Sequence, residues 1–257
     1  MTINTPTILA LDFDGVICDG MIEYFQAAWR TYCQIWLSDS SVTSPTDLSP
    51  VFSRLRPVIE TGWEMPILIR ALLKGVSETQ IIHDWANISK QLLTTEELNA
   101  AEIGAKLDYL RDRWIAEDLI GWLNCHRFYP GVPQKLQKLI KNNFPVVIIS
   151  TKEGRFIKQL LQQENIEIPE DKIYGKELQR TKSDILKELA PGETIWFVED
   201  RLKTLQAVEK VPELAEVQLF LADWGYNTVA ERKSAGSEPR IKLLNLAQFD
   251  ADFADWI

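Results

Sequence analysis

The chain reads TILALDFDGV at residues 7–16, and this stretch decides the fold class. Residues 7–11 are almost entirely apolar up to Asp12, which is typical of a short strand buried on both faces of a parallel sheet. Asp14 and Gly15 follow at once, and this pair favours a turn. The sequence therefore predicts a buried strand that ends in a loop carrying two carboxylates.

A long helical block follows this first strand. Apolar residues recur with helical periodicity from about residue 21 to residue 125, and no strand-like alternation interrupts them. Two capping boxes are predicted inside the block, Ser77 with Gln80 and Thr94 with Glu97. We therefore expect residues 20–126 to be all-helical.

The pattern changes again after Pro130 and Gly131. Apolar strand patterns now alternate with amphipathic helical patterns, and the strand patterns are PVVIIS, KIYG, TIWFVED, EVQLFLADWG and IKLLNL. Such alternation predicts an α/β fold with a parallel sheet covered by helices on both faces. The expected organisation is a core of residues 1–19 and 127–257, with residues 20–126 inserted as an all-helical domain.

Composition and charge limit the classes of partner. The 257-residue chain is 46% hydrophobic, enough for a sizeable core, and its formal net charge is -9. This charge leaves no basic face for nucleic acid or anionic lipid, so neither is expected as a partner. No apolar run is long enough to span a bilayer and no signal-peptide pattern opens the sequence, so we expect a cytoplasmic protein. The oligomeric state stays open between monomer and homodimer.

The cysteines and histidines argue against several kinds of site. Cys18, Cys33 and Cys125 have no metal-ligand spacing, and their odd number favours thiols in a reducing compartment over disulfides. With only His83 and His126 in the chain, a histidine-based metal site or a Ser-His-Asp triad is disfavoured. Any catalysis is therefore expected to depend on carboxylates.

Polar residues stand where the predicted strands end. Ligands of an open parallel sheet bind beyond the carboxyl ends of its strands, so residues delivered there are expected to converge. The residues delivered in this way are Asp12, Asp14, Ser150, Thr151, Lys152, Lys182, Glu199 and Asp200.

This set fits phosphoryl transfer through a covalent aspartyl phosphate. We expect Asp12 to be the nucleophile and Asp14, two residues later, to be the general acid and base. Ser150 and Lys182 are expected to bind the phosphoryl oxygens as charge develops on them.

A carboxylate that attacks an anion also requires a divalent cation to screen their repulsion. Oxygen ligands favour Mg²⁺ as that cation. The candidate ligands are Asp12, Asp14, Glu199 and Asp200, and Glu199 could instead be a group that only supports the other ligands.

The order of these motifs resembles the haloacid dehalogenase superfamily. The similarity covers DFDGV, the apolar strand that ends in Ser150-Thr151-Lys152, Lys182 before a helix, and FVEDRLKTL, with DWGYN at residues 223–227 as a further likeness. The helical insertion is similar to the cap of phosphoglycolate phosphatase-like and β-phosphoglucomutase-like members. The resemblance implies a Rossmann-like three-layer core, a mobile helical cap that closes over the substrate, and Mg²⁺ as cofactor.

The fourth motif departs from the pattern of many relatives. Those relatives have Gly-Asp-x-x-x-Asp, whereas here Glu199 precedes Asp200 and Thr204 stands at the last acidic position. Relatives also place the hydroxyl residue directly after the apolar strand, which favours Ser150 over Thr151 as the phosphate-binding hydroxyl; Thr151 stays the alternative.

The resulting expectation is a Mg²⁺-dependent phosphatase that acts on a small-molecule phosphate monoester. A phosphomutase of the β-phosphoglucomutase type is one alternative, and a catalytically silent binding or scaffold protein of the same fold is another. Arg56 is a candidate contact to substrate phosphate because Arg56, Glu60 and Glu64 share helical spacing before a break at Gly62. Salt bridges on the protein surface are the competing interpretation of that stretch.

Overall fold

The structure, a computed structural model, describes residues 5–37 and 42–256. The chain divides into two compact units, one made of Met1–Asp19 with Arg127–Ile257 and the other of Gly20–His126. It therefore passes between the units twice, after Asp19 and after His126. Among the helices of the described residues, none is both long and apolar enough to cross a membrane.

The first unit is built on a six-stranded parallel sheet, which confirms the predicted α/β fold. Its strands are β1 Ile8–Leu11, β4 Val146–Ile149, β5 Ile173–Tyr174, β6 Ile195–Glu199, β7 Gln218–Ala222 and β8 Ile241–Leu244. They lie in the order β5-β4-β1-β6-β7-β8. Two further short strands, β2 Cys18–Asp19 and β3 Arg127–Phe128, pair antiparallel where the chain leaves and re-enters this unit.

The central strands are apolar throughout because both faces of the sheet are covered. All residues of β1, β4 and β6 are buried. Successive side chains point to opposite faces, so Ile8 and Ala10 of β1 belong to one core together with Phe197, Leu205 and further residues of the helices on that face. Strands that read as continuous apolar runs thus occupy the middle of the sheet.

Aromatic rings cover the opposite face. Trp196 of β6 packs against Phe220 of β7 at 5.0 Å between ring centroids and against Trp256 at 5.5 Å. Phe253 lies 5.3 Å from Trp256, so the last turn of the described chain closes over the sheet. Rings of this size bury much of their area when packed in this way, which makes the cluster a major contribution to the core.

Helices follow the strands of the first unit in the predicted alternation. They are α7 Val132–Lys141, α8 Gly154–Gln163, α9 Lys182–Leu189, α10 Leu202–Glu209, α11 Val229–Ala235 and α12 Leu246–Asp250. Short 3-10 turns lie at Glu170–Lys172, Lys176–Leu178, Pro212–Leu214 and Phe253–Trp256.

The second unit contains helices and no strand among its described residues. These are α1 Met21–Trp36, α2 Leu48–Leu55, α3 Glu64–Leu73, α4 Glu78–Thr95, α5 Ala100–Glu117 and α6 Leu119–Leu123, with a 3-10 turn at Arg56–Val58. The carboxylate of Glu23 on α1 is almost fully buried and makes a two-pronged ion pair with Arg111 on α5, at 2.7 and 2.9 Å. This pair joins the two helices inside the second unit.

One of the two predicted capping boxes is confirmed and the other is wrong. The hydroxyl of Ser77 accepts from the Gln80 amide at the start of α4, and the Gln80 side chain accepts in return from the Ser77 amide. Thr94 instead lies near the end of α4, where its hydroxyl donates to the carbonyl oxygen of Lys90. Helix α5 begins later because the side chain of Asn99 caps its first amides.

The expected helical alignment of Arg56, Glu60 and Glu64 is also wrong. The helix ends earlier, at the 3-10 turn around Pro57, and α3 starts only at Glu64. Glu64 is buried; its carboxylate accepts from the amides of Glu60 and Thr61 and from the indole of Trp85. It therefore organises the turn before α3 instead of forming a salt bridge on the surface.

Candidate active site

Asp12 follows directly after β1, at the carboxyl edge of the sheet. Its backbone amide donates to Val198 of β6 at 3.0 Å, which extends the pairing of β1 to the site. The residue is only 6% exposed. Its Oδ1 forms an ion pair with Lys182 Nζ at 2.9 Å. The first strand therefore holds a buried carboxylate beside a lysine.

Lys182 is the first residue of α9 and connects two carboxylates. Besides Asp12, its Nζ contacts Glu199 Oε2 at 2.6 Å. Burial alone would lower the pKa of this ammonium, but the charges of Asp12 and Glu199 outweigh that effect and raise the pKa. Lys182 consequently stays charged inside the site.

Glu199 is the last residue of β6 and Asp200 follows it directly; both are almost completely buried. Glu199 Oε1 accepts from the Arg201 amide at 3.0 Å, and Asp200 Oδ2 accepts from the Tyr226 amide at 2.7 Å. Oxygens of Asp12, Glu199 and Asp200 lie within 4.8 Å of one another. Three carboxylates from two segments of the chain, the ends of β1 and β6, therefore converge at this edge of the sheet.

Burial and the neighbouring negative charges raise the pKa values of the carboxyl groups at this edge. Burial raises the pKa of Asp12 to about 6 and that of Glu199 to about 7, although Lys182 opposes both shifts. A divalent cation would relieve the repulsion among the carboxylates. The donor set consists of oxygen atoms alone, and such a set fits Mg²⁺.

Asp14 stands in the tight turn that connects β1 to β2. The carbonyl oxygen of Phe13 accepts from the amides of Ile17 and Cys18, and the Gly15 amide donates to Cys18. Asp14 Oδ1 lies 3.2 Å from Lys152 Nζ, and both side chains are largely buried. The two aspartates of DFDGV thus contact different lysines.

Ser150 and Thr151 follow β4 and differ in exposure. Ser150 is buried, its amide donates to Tyr174 of β5, and its hydroxyl accepts from the Lys152 amide at 3.3 Å. Thr151 is exposed. The buried position directly after the strand therefore belongs to Ser150.

A sequence-family comparison matches residues 6–211 to the model for haloacid dehalogenase-like hydrolases. The chain belongs to this family. The match includes the whole of the helical unit and the segments that carry Asp12, Ser150, Lys182 and Asp200. No curated protein matches the sequence significantly.

Solved structures share the fold of this hydrolase at low sequence identity. One from Lactobacillus delbrueckii subsp. bulgaricus, named for phosphoglycolate phosphatase, has a TM-score of 0.60 at 13% identity and covers 95% of each chain. A second structure of that name, from Haemophilus somnus, has a TM-score of 0.58 at 16% identity, with 97% of this chain and 96% of the other covered. A haloacid dehalogenase-like hydrolase from Bacteroides fragilis has a TM-score of 0.55 at 18% identity and covers 95% and 99%.

The structure also brings to this site residues to which the sequence analysis gave no role. Lys152, for which the sequence indicates only a position at a strand end, contacts Asp14. Tyr226 binds Asp200 through its amide, and its hydroxyl donates to Asp19 at 2.7 Å. The Asn227 side chain donates to the carbonyl oxygens of Asp200 and Ala222. The resemblance of DWGYN to relatives was the one sequence signal for Tyr226 and Asn227.

The sequence analysis also proposes Arg56 as a contact to substrate phosphate. It lies in the helical unit, where its guanidinium donates to the Ile59 carbonyl oxygen at 3.0 Å and stands 5.0 Å from the centre of the Tyr24 ring. Both contacts are local to that unit.

Proposed function

We propose that this hydrolase is a Mg²⁺-dependent phosphatase that cleaves a small-molecule phosphate monoester through an aspartyl phosphate on Asp12. One observation supports this proposal above the others: Asp12 meets Glu199 and Asp200 within 4.8 Å and also contacts Lys182. A buried carboxylate placed beside both an ammonium group and a set of oxygen donors is suited to attack an anionic phosphate.

The proposed chemistry has two steps. In the first, an Asp12 oxygen bonds to phosphorus while the bond from phosphorus to the leaving oxygen breaks. The protonated carboxyl group of Asp14 donates its proton to the leaving oxygen. In the second, water attacks phosphorus, Asp14 takes a proton from it, and the bond to Asp12 breaks. Inorganic phosphate and the free alcohol are released, and both aspartates return to their starting forms.

The remaining side chains would bind the phosphoryl group. Lys182 already carries its charge next to Asp12, so it can stabilise an equatorial oxygen in both steps. Ser150 is the proposed hydroxyl donor because it is the buried residue at the end of β4, with exposed Thr151 as a second contact to phosphate.

Asp12, Asp200 and Glu199 would hold Mg²⁺, with Asp14 as a further ligand. When bound, the ion supplies positive charge that reduces the repulsion between Asp12 and the phosphate. Glu199 is held by Lys182 and by the Arg201 amide, so its carboxylate is fixed at this edge before any ligand arrives.

We further propose that residues 20–126 act as a cap that selects the substrate. The support lies in the topology. This helical unit is inserted between Asp19 and Arg127, immediately after the loop that carries Asp12 and Asp14. Loops that follow the first strand of such a sheet open at the edge where ligands bind.

A phosphate-release screen in Mg²⁺ tests the proposed function. It would cover sugar phosphates, phosphoglycolate, nucleotides and cofactor phosphates, with analysis of the organic product to separate hydrolysis from transfer to a sugar. Asp12→Asn should lower kcat by at least about 1000-fold, while the far-ultraviolet circular dichroism spectrum stays unchanged. Phosphate release by this variant near the wild-type rate would exclude Asp12 as nucleophile, and undetectable release by the wild type across the panel would contradict the phosphatase proposal.

A further inference from the structure

Lys152 is a buried lysine for which the proposed chemistry has no use. It lies in the loop between β4 and α8, and its side chain is 8% exposed. Lysine is rarely buried to this extent, because removing an ammonium group from water is costly unless a negative partner compensates. The partner here is Asp14, with Oδ1 3.2 Å from the ammonium nitrogen.

The backbone of Lys152 is held on both sides. Its amide donates to the Ser150 hydroxyl at 3.3 Å, and its carbonyl oxygen accepts from the Lys176 amide at 3.0 Å. The side chain therefore starts from a point tied to β4 and to the turn after β5. A lysine anchored in this way can fix the position of a carboxylate on a neighbouring loop.

Asp14 lies close to other carboxylates, so a fixed contact with a lysine can determine where its carboxyl group points. It follows Asp12 by two residues, and Asp12 lies close to two further carboxylates, so like charges surround this edge of the sheet. Lys182 contacts Asp12 and Glu199, whereas Lys152 contacts Asp14. Each aspartate of DFDGV is thus paired with its own buried lysine, and the two lysines come from different segments.

We propose that Lys152 is the positioning residue for Asp14, holding its carboxyl group where it can protonate the leaving oxygen. The inference rests on the proposed phosphatase function. Lys152 transfers no proton and forms no bond itself. In the step that it supports, the bond from Asp12 to phosphorus forms, the bond from phosphorus to the leaving oxygen breaks, and the proton of Asp14 passes to that oxygen.

This role predicts a dependence on the leaving group that a purely structural role would not produce. An aliphatic alkoxide is strongly basic and needs the proton, whereas p-nitrophenolate leaves readily without it. The parameter to compare is kcat/KM, because it reports the steps up to the first bond cleavage and is insensitive to later hydrolysis of the aspartyl phosphate.

The test compares Lys152→Met with wild type on two substrates, p-nitrophenyl phosphate and the aliphatic phosphate ester hydrolysed fastest in the screen. We expect kcat/KM to fall by about 30-fold or more on the aliphatic ester and by less than about 3-fold on the aryl ester, since general acid catalysis contributes about 100-fold to 10000-fold. Lys152→Arg, which keeps the charge, should recover most of the loss on the aliphatic ester. Lys158→Met is the matched control, because Lys158 lies on the adjoining α8 in an exposed pair with Glu170 and should leave both values unchanged.

A double-mutant cycle with Asp14→Ala gives a second readout. If Lys152 acts through Asp14, adding Lys152→Met to Asp14→Ala should lower kcat/KM on the aliphatic ester by less than about 2-fold further. Equal losses on the two substrates, a full additional loss in the Asp14→Ala background, or a change confined to KM would overturn the positioning role. An active Asp12→Asn variant would instead refute the proposed function, so the two failures are distinguishable.

Discussion

The ammonium of Lys182 lies 2.6 Å from Glu199 and 2.9 Å from Asp12, and it joins β6 to β1 through α9. The side chains of Asp12 and Glu199 are more than nine-tenths buried, and that of Lys182 is 13% exposed. Removing one member of a buried ion pair leaves the other charge buried without a partner. The resulting loss of folding stability is larger than the net stabilisation that the intact pair provides.

Lys182→Met should therefore lower the free energy of unfolding by about 3 kcal/mol in EDTA. Glu199→Gln should cost less, because Asp12 remains as a partner for the lysine. The double variant should be less destabilised than the sum of the two single variants, since the second change removes a charge that the first left unpaired. Urea unfolding of the four proteins measures this coupling, and strictly additive losses would show that the contact contributes nothing.

Gly15 is required by the shape of the site. Its φ is +90°, and a Cβ placed there would lie 2.1 Å from Asp200 Oδ2. Gly15→Ala should therefore displace the Asp200 carboxylate and abolish the rise in melting temperature that Mg²⁺ gives to the wild type, a rise expected for any ligand that binds the folded state alone.

Gly75 provides the matched control for that substitution. Its φ is +82°, but nothing lies within 4 Å of a Cβ at that position. Gly75→Ala should cost about 1 kcal/mol of backbone strain and leave the effect of Mg²⁺ on the melting temperature intact. A wild-type response to Mg²⁺ in Gly15→Ala would show that Asp200 is not a ligand.

Tyr226 ties Asp200 to the strand at which the chain leaves the first unit. Its amide binds Asp200, and its hydroxyl donates to Asp19 Oδ1 at 2.7 Å. Tyr226→Phe should lower the free energy of unfolding by about 1.5 kcal/mol, the usual value for a hydrogen bond to a charged group. Tyr109→Phe, at a tyrosine that is 66% exposed, should change it by less than about 0.5 kcal/mol. Equal effects in urea unfolding would contradict a structural role for the Tyr226 hydroxyl.

The fold could be predicted from the sequence because its signals are local. Apolar runs such as residues 146–149 are typical of strands covered on both faces, and their alternation with helical patterns favours a parallel sheet between two helical layers. The helix ends were harder to predict. Thr94 and Glu97 have the spacing of a capping box, but α4 continues through Thr94 and the Asn99 side chain provides the cap. Local spacing cannot show which of two competing caps forms.

The candidate site was predictable where strand ends mark it. Asp12, Ser150 and Asp200 each follow an apolar strand, and the sheet alone brings them to one edge. The contacts of Lys152 with Asp14 and of Tyr226 with Asp19 join residues 138 and 207 positions apart, and no periodicity connects them. Such pairs depend on side-chain packing, which a single sequence does not encode in any readable spacing.

Glu96 supplies a pH-dependent contribution to the helical unit. Its carboxylate is 14% exposed and accepts from Arg70 at 3.0 Å, from Lys74 at 2.7 Å and from the Trp36 indole at 2.6 Å. Burial disfavours its charge, but the hydrogen bonds from Lys74, Trp36 and Arg70 outweigh this and hold the pKa below the ordinary value of 4.5. A lowered pKa means that the stabilisation is present above pH 4.5 and is lost as the pH falls through the pKa of the folded state.

Glu96→Gln should accordingly be less stable than wild type by about 1 kcal/mol at pH 7, and the difference should shrink as the pH falls below 4.5. Urea unfolding of both proteins across this range measures it. Glu117→Gln is the control, because Glu117 pairs with Arg113 at the surface, where both side chains are more than half exposed and such a pair contributes little. A difference between Glu96→Gln and wild type that stays constant from pH 7 to pH 3 would mean that Glu96 stabilises the unit through packing, because only the contribution of its charge can titrate.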